Sequence, residues 1–228
     1  MKTSKLKIVN LMSESKREKL EKLNKEMIAC CKCVLRGTCK QVVPGDGSAE
    51  AEIMFIGEGP GQKENELGIP FVGAAGKFLD EMLETIKLKR EEVYIANVVK
   101  CRPPANRDPL PEESEACWPW LEKQIEIIDP KLIVTLGRHS MERFLPNQKI
   151  SQIHGKAMRR NIPGLGTRVF YALYHPAAAL YNGSMRTILI QDFKQIPKVL
   201  KAVNKSESEK KDKFAPVENS EDNQETLF

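Results

Sequence analysis

One stretch restricts the possible folds more than any other. From Gly57 to Gly76 the chain reads GEGPGQKENELGIPFVGAAG, with six glycines and two prolines in twenty residues. An apolar run, Ile53 to Ile56, precedes it and has the length of a buried strand. Lys77 to Ile86 follows, with Phe78, Leu79, Met82, Leu83 and Ile86 at helical spacing. Glycine has no Cβ, so a flat or phosphorylated ligand can lie directly on the main chain of such a loop. Two phosphate-binding patterns are excluded. No Lys-Ser/Thr pair closes a GxxxxGK[ST] loop, and Gly57, Gly59 and Gly61 are followed by Lys63 and Glu64 instead of completing GxGxxG. Glu58 and Glu64 bring carboxylates and Phe71 an aromatic face. A turn that merely joins strand to helix is the competing reading.

The rest of the chain repeats the alternation. The sequence predicts a helix over 14–29 capped by Ser13, a strand over 92–99 and a helix over 111–128. Beyond these it predicts a strand over 131–136, a helix over 137–145, strands over 150–160 and 168–173, and a final helix over 186–203. Strands alternating with helices imply an α/β fold, a parallel sheet with helices on both faces. In such folds ligands meet the carboxyl ends of the strands, where Gly57, Asn97 and His175 all fall. The reading divides the chain into a poorly ordered start (1–12), one folded domain (13–203) and a flexible tail (204–228) whose Lys, Glu, Ser and Asn content cannot build a core. No run of about 18 apolar residues exists to span a membrane. The lysine-rich start has no apolar export signal, so a cytoplasmic, nucleoid-associated protein is expected. Residues 201–228 hold five Lys against seven Asp or Glu, so the body carries +7 of the chain's +5 net charge and the tail −2. A basic body is compatible with a polyanionic partner such as nucleic acid.

Six cysteines inside a cell are metal ligands or buried thiols before they are disulfides. Cys30-x-x-Cys33 offers two thiolates from one turn. Cys101 and Cys117, with 15 residues between them, offer two more. Four thiolates suit zinc or an iron–sulfur cluster, and the spacing does not choose. Cys31 and Cys39 do not extend the pattern and read as buried thiols.

The cysteine cluster, GEGPGQKE, GIPFVGAAG, NVVKCRPPANRDPLP, Cys117 and HPAAAL together resemble, in order and over about 30–200, the type-4 (thermostable, iron–sulfur) uracil-DNA glycosylases. The resemblance implies a monofunctional enzyme that hydrolyses the N-glycosidic bond of deoxyuridine in DNA, releasing uracil and leaving an abasic site for base excision repair. It implies a three-layer α/β/α sandwich around a central, mostly parallel four-stranded sheet, and one structural 4Fe–4S cluster on Cys30, Cys33, Cys101 and Cys117. Phe71 would stack on the flipped base and Asn97 would read its edge, beside Gly57 and Gly59. His175, in the HP motif, would stabilise the departing uracil anion. Other uracil glycosylases carry an aspartate where this chain has Gly59, so Glu58 and then Glu64 are the candidates for handling water. The loop after HP would enter the minor groove with Leu180 or Tyr181 as wedge, and Arg186, Arg102 and Arg107 would touch phosphates. His139 and His154 match no motif and read as structural or surface residues. Gln224, Leu227 and Phe228 form a QxxLF ending that resembles a sliding-clamp-binding peptide. The expected partners are therefore uracil-containing DNA and a sliding clamp, with the chain itself a monomer. Two rivals stand beside this reading: a non-catalytic iron–sulfur protein that binds nucleic acid or senses redox state, and a zinc-stabilised nucleotide hydrolase.

Overall fold

The computed structural model describes residues 14–213. The Ser13 cap, the N-terminal segment 1–12 and the C-terminal Gln224, Leu227 and Phe228 lie outside them. Helix α1 (Lys16–Ile28) starts at Ser15, whose Oγ accepts the Glu18 N–H while Glu18 Oε2 accepts the Ser15 N–H at 2.8 Å. This reciprocal cap satisfies two backbone donors of the first turn. Strand β1 (Asp46–Gly47) is a two-residue edge piece, and β2 (Ile53–Gly57) is buried along its length. The glycine-rich stretch is not all loop, because it contains the short helix α2 (Gln62–Leu67). Helix α3 (Ala74–Thr85) then begins a turn earlier than its apolar face predicts. Strand β3 (Tyr94–Asn97), helix α4 (Pro111–Ile128), strand β4 (Leu132–Leu136) and helix α5 (Arg138–Phe144) follow.

The predicted strand over 150–160 is corrected. Ile150–Ile153 is a helical turn, α6, and the strand β5 (Ala157–Ile162) starts only after Gly155 at φ +69°. Ile150 and Ile153 both face the core, a spacing of three that suits a helix and not a strand. Strand β6 (Gly166–Leu173) returns through the turn at Gly164. Helix α7 (Ala178–Tyr181) follows. The single final helix is corrected to two, α8 (Gly183–Phe193) and α9 (Ile196–Lys213). Pro197 has no N–H to donate to a preceding turn, so the chain ends one helix and restarts another around it. Helix α9 continues past Asn204, where the composition turns polar.

The sheet order is β1-β3-β2-β4-β6-β5. The four central strands, β3, β2, β4 and β6, run parallel as expected. The short edge strands β1 and β5 are antiparallel and bring the sheet to six. Alternate residues of each central strand feed two separate cores. Met54, Ile56, Ile133 and Phe170 pack against α1, α4 and α5. Ile53, Phe55, Val134 and Tyr171 pack against α3, α8 and the start of α9. Because both faces are covered, these strands read as continuous apolar runs without alternation. Among the described residues no helix is long and apolar enough to cross a membrane.

Candidate functional site

The parallel register sets Gly57 opposite Asn97 at the carboxyl ends of β2 and β3. One strand further, Leu136 pairs with Leu173, two residues before His175. These ends, with the glycine-rich stretch folded over them, enclose a cleft of about 350 Å³ lined by Glu58, Gly59, Glu64, Phe71, Asn97 and His175 among others. Six positions singled out in the sequence thus share one concavity, and Gly57 does not line it but packs against Asn97 and Phe71, which do.

Gly57 is required there by space. A Cβ at this position would stand 2.4 Å from Asn97 Oδ1 and 2.7 Å from Phe71 Cζ. Both contacts are shorter than any tolerated van der Waals approach, so an added methyl must displace the amide or the ring. We expect Gly57→Ala to leave the fold and its circular dichroism intact. Overpacking of about 1–3 kcal/mol should lower whatever turnover the cleft supports by roughly 5- to 150-fold in kcat/KM. Turnover unchanged in this variant would show that the Asn97–Phe71 gap is not where the ligand sits.

Asn97 is 2 % exposed, and its Oδ1 has no hydrogen-bond partner within the protein. A buried polar atom left unpaired is expensive, and in a cleft it marks a place for a ligand donor. Its carboxamide offers an acceptor and donors side by side. The Phe71 ring lies 5.7 Å from the His175 ring, centre to centre.

His175 has a defined protonation state. Burial lowers its pKa to about 4, against an opposing pull from Glu64, so the imidazole is neutral at ordinary pH. The Ala177 N–H donates to its Nδ1 at 3.2 Å. A neutral ring that accepts at Nδ1 carries its proton on Nε2, and that N–H is the donor left for a ligand. Gly137, at φ +94°, lets the turn after β4 press against the His175 side chain.

The two carboxylates separate. Glu64 Oε1 accepts the N–H groups of Val72 and Gly73 at 2.9 and 2.8 Å, which ties the loop after Phe71 to α2. Glu58 stands apart from these donors. Burial raises its carboxyl pKa, with His139 pulling the other way. His139 Nε2 lies 3.9 Å from Glu58 and 2.8 Å from Asp108, so His139 reaches the site's edge, which the sequence reading did not give it. The available signal was its place just after a strand end, at the start of α5. His154 instead pairs with Asp192 at 2.6 Å, away from the cleft.

The outer residues divide as well. Leu180 and Tyr181 on α7 are 42 % and 91 % exposed, so neither belongs to the core. Arg186 pairs with Glu81 and stacks 4.3 Å from the Phe78 ring centre, which commits its guanidinium to the protein surface. Arg107, at the cleft wall, is held by two bonds to Glu113, and Arg102 donates to Asn106 Oδ1 at 2.7 Å.

A second, smaller cavity gathers Cys30, Cys33, Cys101 and Cys117. Trp120 Nε1–H donates to Cys30 Sγ at 3.2 Å and the Lys100 N–H to Cys117 Sγ at 3.3 Å. Burial raises the Cys101 and Cys117 thiols, so bare thiolates are disfavoured here. N–H donors to sulfur, and the buried ammonium of Lys100 beside Cys117, fit an anionic metal–thiolate group. A tetrahedral zinc ion, with Zn–S about 2.3 Å, needs its sulfurs about 3.8 Å apart. Among the described residues no three cysteine sulfurs come within 4.8 Å of one another. Cys39 is buried near Cys101, whereas Cys31 is exposed and not a buried thiol.

Against known proteins, residues 44–202 match the family model described as the uracil DNA glycosylase superfamily. The chain is 49 % identical over 185 residues to a type-4 uracil-DNA glycosylase of Sulfurisphaera tokodaii, covering 78 % of this chain and 84 % of the relative. A type-4 uracil-DNA glycosylase of Archaeoglobus fulgidus is 48 % identical over 185 residues, with 78 % of this chain and 92 % of the relative covered. One from Thermotoga maritima is 40 % identical over 189 residues, with 82 % and 97 % covered.

Proposed function

The chain belongs to the uracil DNA glycosylase superfamily and, within it, to the type-4 uracil-DNA glycosylases, and from that premise we propose how its own residues excise uracil. The enzyme hydrolyses the bond between uracil N1 and the deoxyribose C1′ in DNA. Water adds to C1′, and uracil leaves as an anion whose charge collects on its O2 and O4 oxygens. The observation that carries the assignment of the pocket is the buried, unpartnered Oδ1 of Asn97. Uracil presents an N3–H donor next to the O4 acceptor. Asn97 Oδ1 accepts the first and its Nδ2 donates to the second, which uses the amide fully. Phe71 supplies the stacking face for the base, which must leave the duplex to reach the cleft. The Nε2–H of neutral His175 donates to O2 and strengthens as negative charge develops there.

Glu58 is the residue we assign to the water. Its raised pKa suits a base that must take a proton or stand by the cationic sugar as the bond opens. Glu64 is assigned to positioning, because one of its oxygens is already committed to the Val72 and Gly73 N–H groups. No lysine lines the cleft among the described residues, in keeping with hydrolysis without a lysine nucleophile. Leu180 and Tyr181, exposed on the helix after the HP turn, are the wedge that fills the stack behind the flipped base. Arg186 would have to leave Glu81 to meet a phosphate.

Cys30, Cys33, Cys101 and Cys117 would hold one 4Fe–4S cluster. When bound, such a cluster cross-links the segment after α1 to the loop after β3 and to α4. The wider partner set follows the same reading: a sliding clamp taken by Gln224, Leu227 and Phe228, and work as a monomer in the cytoplasm at the nucleoid.

The test is release of free uracil from a labelled single-uracil oligonucleotide by anaerobically purified protein. Uracil release without strand cleavage, with iron and acid-labile sulfide present in equal amounts, is the expected result. Binding of the oligonucleotide with its uracil left in place would remove the enzyme reading in favour of a DNA-binding iron–sulfur protein.

A further inference from the structure

Phe71 stands at φ +52°, in the left-handed region where Cβ crowds the following carbonyl. A bulky non-glycine residue stays there only when its surroundings over-determine it. Two contacts do so. Helix α3 lies directly on the Phe71 carbonyl, since a Cβ at Gly76 would stand 1.8 Å from that oxygen. The second contact is Arg90, in the turn before β3. Its Nη1 donates to the Phe71 carbonyl at 3.1 Å and its Nη2 to the Pro70 carbonyl. The same guanidinium is held by Asp80 of α3 at 3.2 Å and Asp46 of β1 at 3.3 Å.

A guanidinium is a planar fork of five donors, and here it spans two consecutive carbonyls while two carboxylates fix its plane. Arg90 does not line the cleft, and its side chain is only 22 % exposed. A surface ion pair has no need of four partners on three elements. Two of the four are the consecutive carbonyls of the Pro70–Phe71 segment, whose strained backbone carries the Phe71 ring into the cleft lining.

We propose that Arg90 is a positioning residue for uracil recognition: it clamps the Pro70 and Phe71 carbonyls, keeps Phe71 in its left-handed conformation and so sets the plane on which the base stacks. The proposal rests on Phe71 being the stacking face. Lysine at position 90 could reach one carbonyl but not both, and glutamine, shorter and uncharged, neither carbonyl with its carboxylate support.

The test compares wild type, Arg90→Gln and Arg90→Lys in three measurements: the inhibition constant of free uracil, kcat and KM on a single-uracil oligonucleotide, and the melting temperature. Arg168→Ala, which breaks an Arg–Asp pair at the opposite end of β6, is the control for lost stability alone. Stacking on an aromatic ring contributes enough that its misalignment should weaken free uracil about tenfold in Arg90→Gln, with Arg90→Lys in between. Arg168→Ala should keep wild-type uracil affinity whatever its melting temperature. Arg90→Gln with wild-type affinity for uracil would overturn the clamp while leaving the glycosylase reading intact. Should Arg90→Gln fail to fold, wild-type affinity in Arg90→Lys would overturn it equally. Wild-type protein that releases no uracil would bring down the glycosylase reading, and this proposal with it.

Discussion

His175→Ala should release uracil about 10²- to 10³-fold more slowly than wild type, with KM little changed. The effect falls on kcat because the Nε2–H donor matters most once charge reaches O2, and one preorganised donor to a developing oxyanion is worth about that factor. The neutral state makes the prediction sharper. The His175 pKa is lowered to about 4 by burial, so the imidazole stays neutral, and a donor at Nε2, from alkaline pH down to roughly that value. The wild-type rate should therefore show no loss from histidine protonation around pH 6 to 7. A kcat that fell as pH rose through 6 to 7, and was flat in His175→Gln, would mean that the ring acts as an imidazolium. Stability follows the same linkage. Between about pH 6.5, the ordinary histidine value, and about pH 4 the unfolded chain binds a proton that the folded chain does not. His175 thus lowers stability progressively as pH falls through that window and has no such effect above it. The melting temperature of His175→Ala should fall less steeply than that of wild type over the same range.

Asn97→Ala should reduce kcat/KM for uracil by roughly 10²- to 10⁴-fold. Two hydrogen bonds to the base edge disappear together, and uracil's N3–H and O4 enter a buried site unpaired at about 1–3 kcal/mol each. Asn97→Asp separates the two bonds, because an aspartate still accepts from N3–H but cannot donate to O4 when ionised. Its loss should lie between wild type and alanine. The fold should survive both changes, since Oδ1 makes no bond within the protein that the variants would break. Equal, small losses in both variants, measured as uracil release with the melting temperature checked, would mean that the amide faces the cleft without reading the base.

The reach of the sequence differs between fold and site. Helix α4 was legible to its ends because Pro111 suits a first helical turn and the apolar positions hold one face through Ile128. The central strands were legible as apolar runs, since burial on both faces removes alternation. The segment 150–160 was misread because β-branched isoleucines at a spacing of three satisfy a strand's composition and a helix's geometry at once. The pocket residues could be named because each sits in a short motif at a strand end. Nothing local distinguishes Arg90 from the charged residues beside it in Lys89–Glu92, or His139 from a surface histidine.

What the sequence determined by itself is the chemistry available and the order of its carriers: glycines at a strand end, an aromatic, an amide, a histidine and four cysteines, each tied to a motif by covalent spacing. The tertiary structure decided the state each group is in. Parallel pairing of β2 with β3 brings the Asn97 amide against Gly57 and leaves its oxygen unpaired. Burial strips the proton from His175, and the Ala177 N–H selects the tautomer. Glu64 is drawn into backbone hydrogen bonds while Glu58 is left to His139 and the cleft. Protonation, tautomer and free valence depend on desolvation and on neighbours distant in sequence, and these exist only once the chain has closed around them.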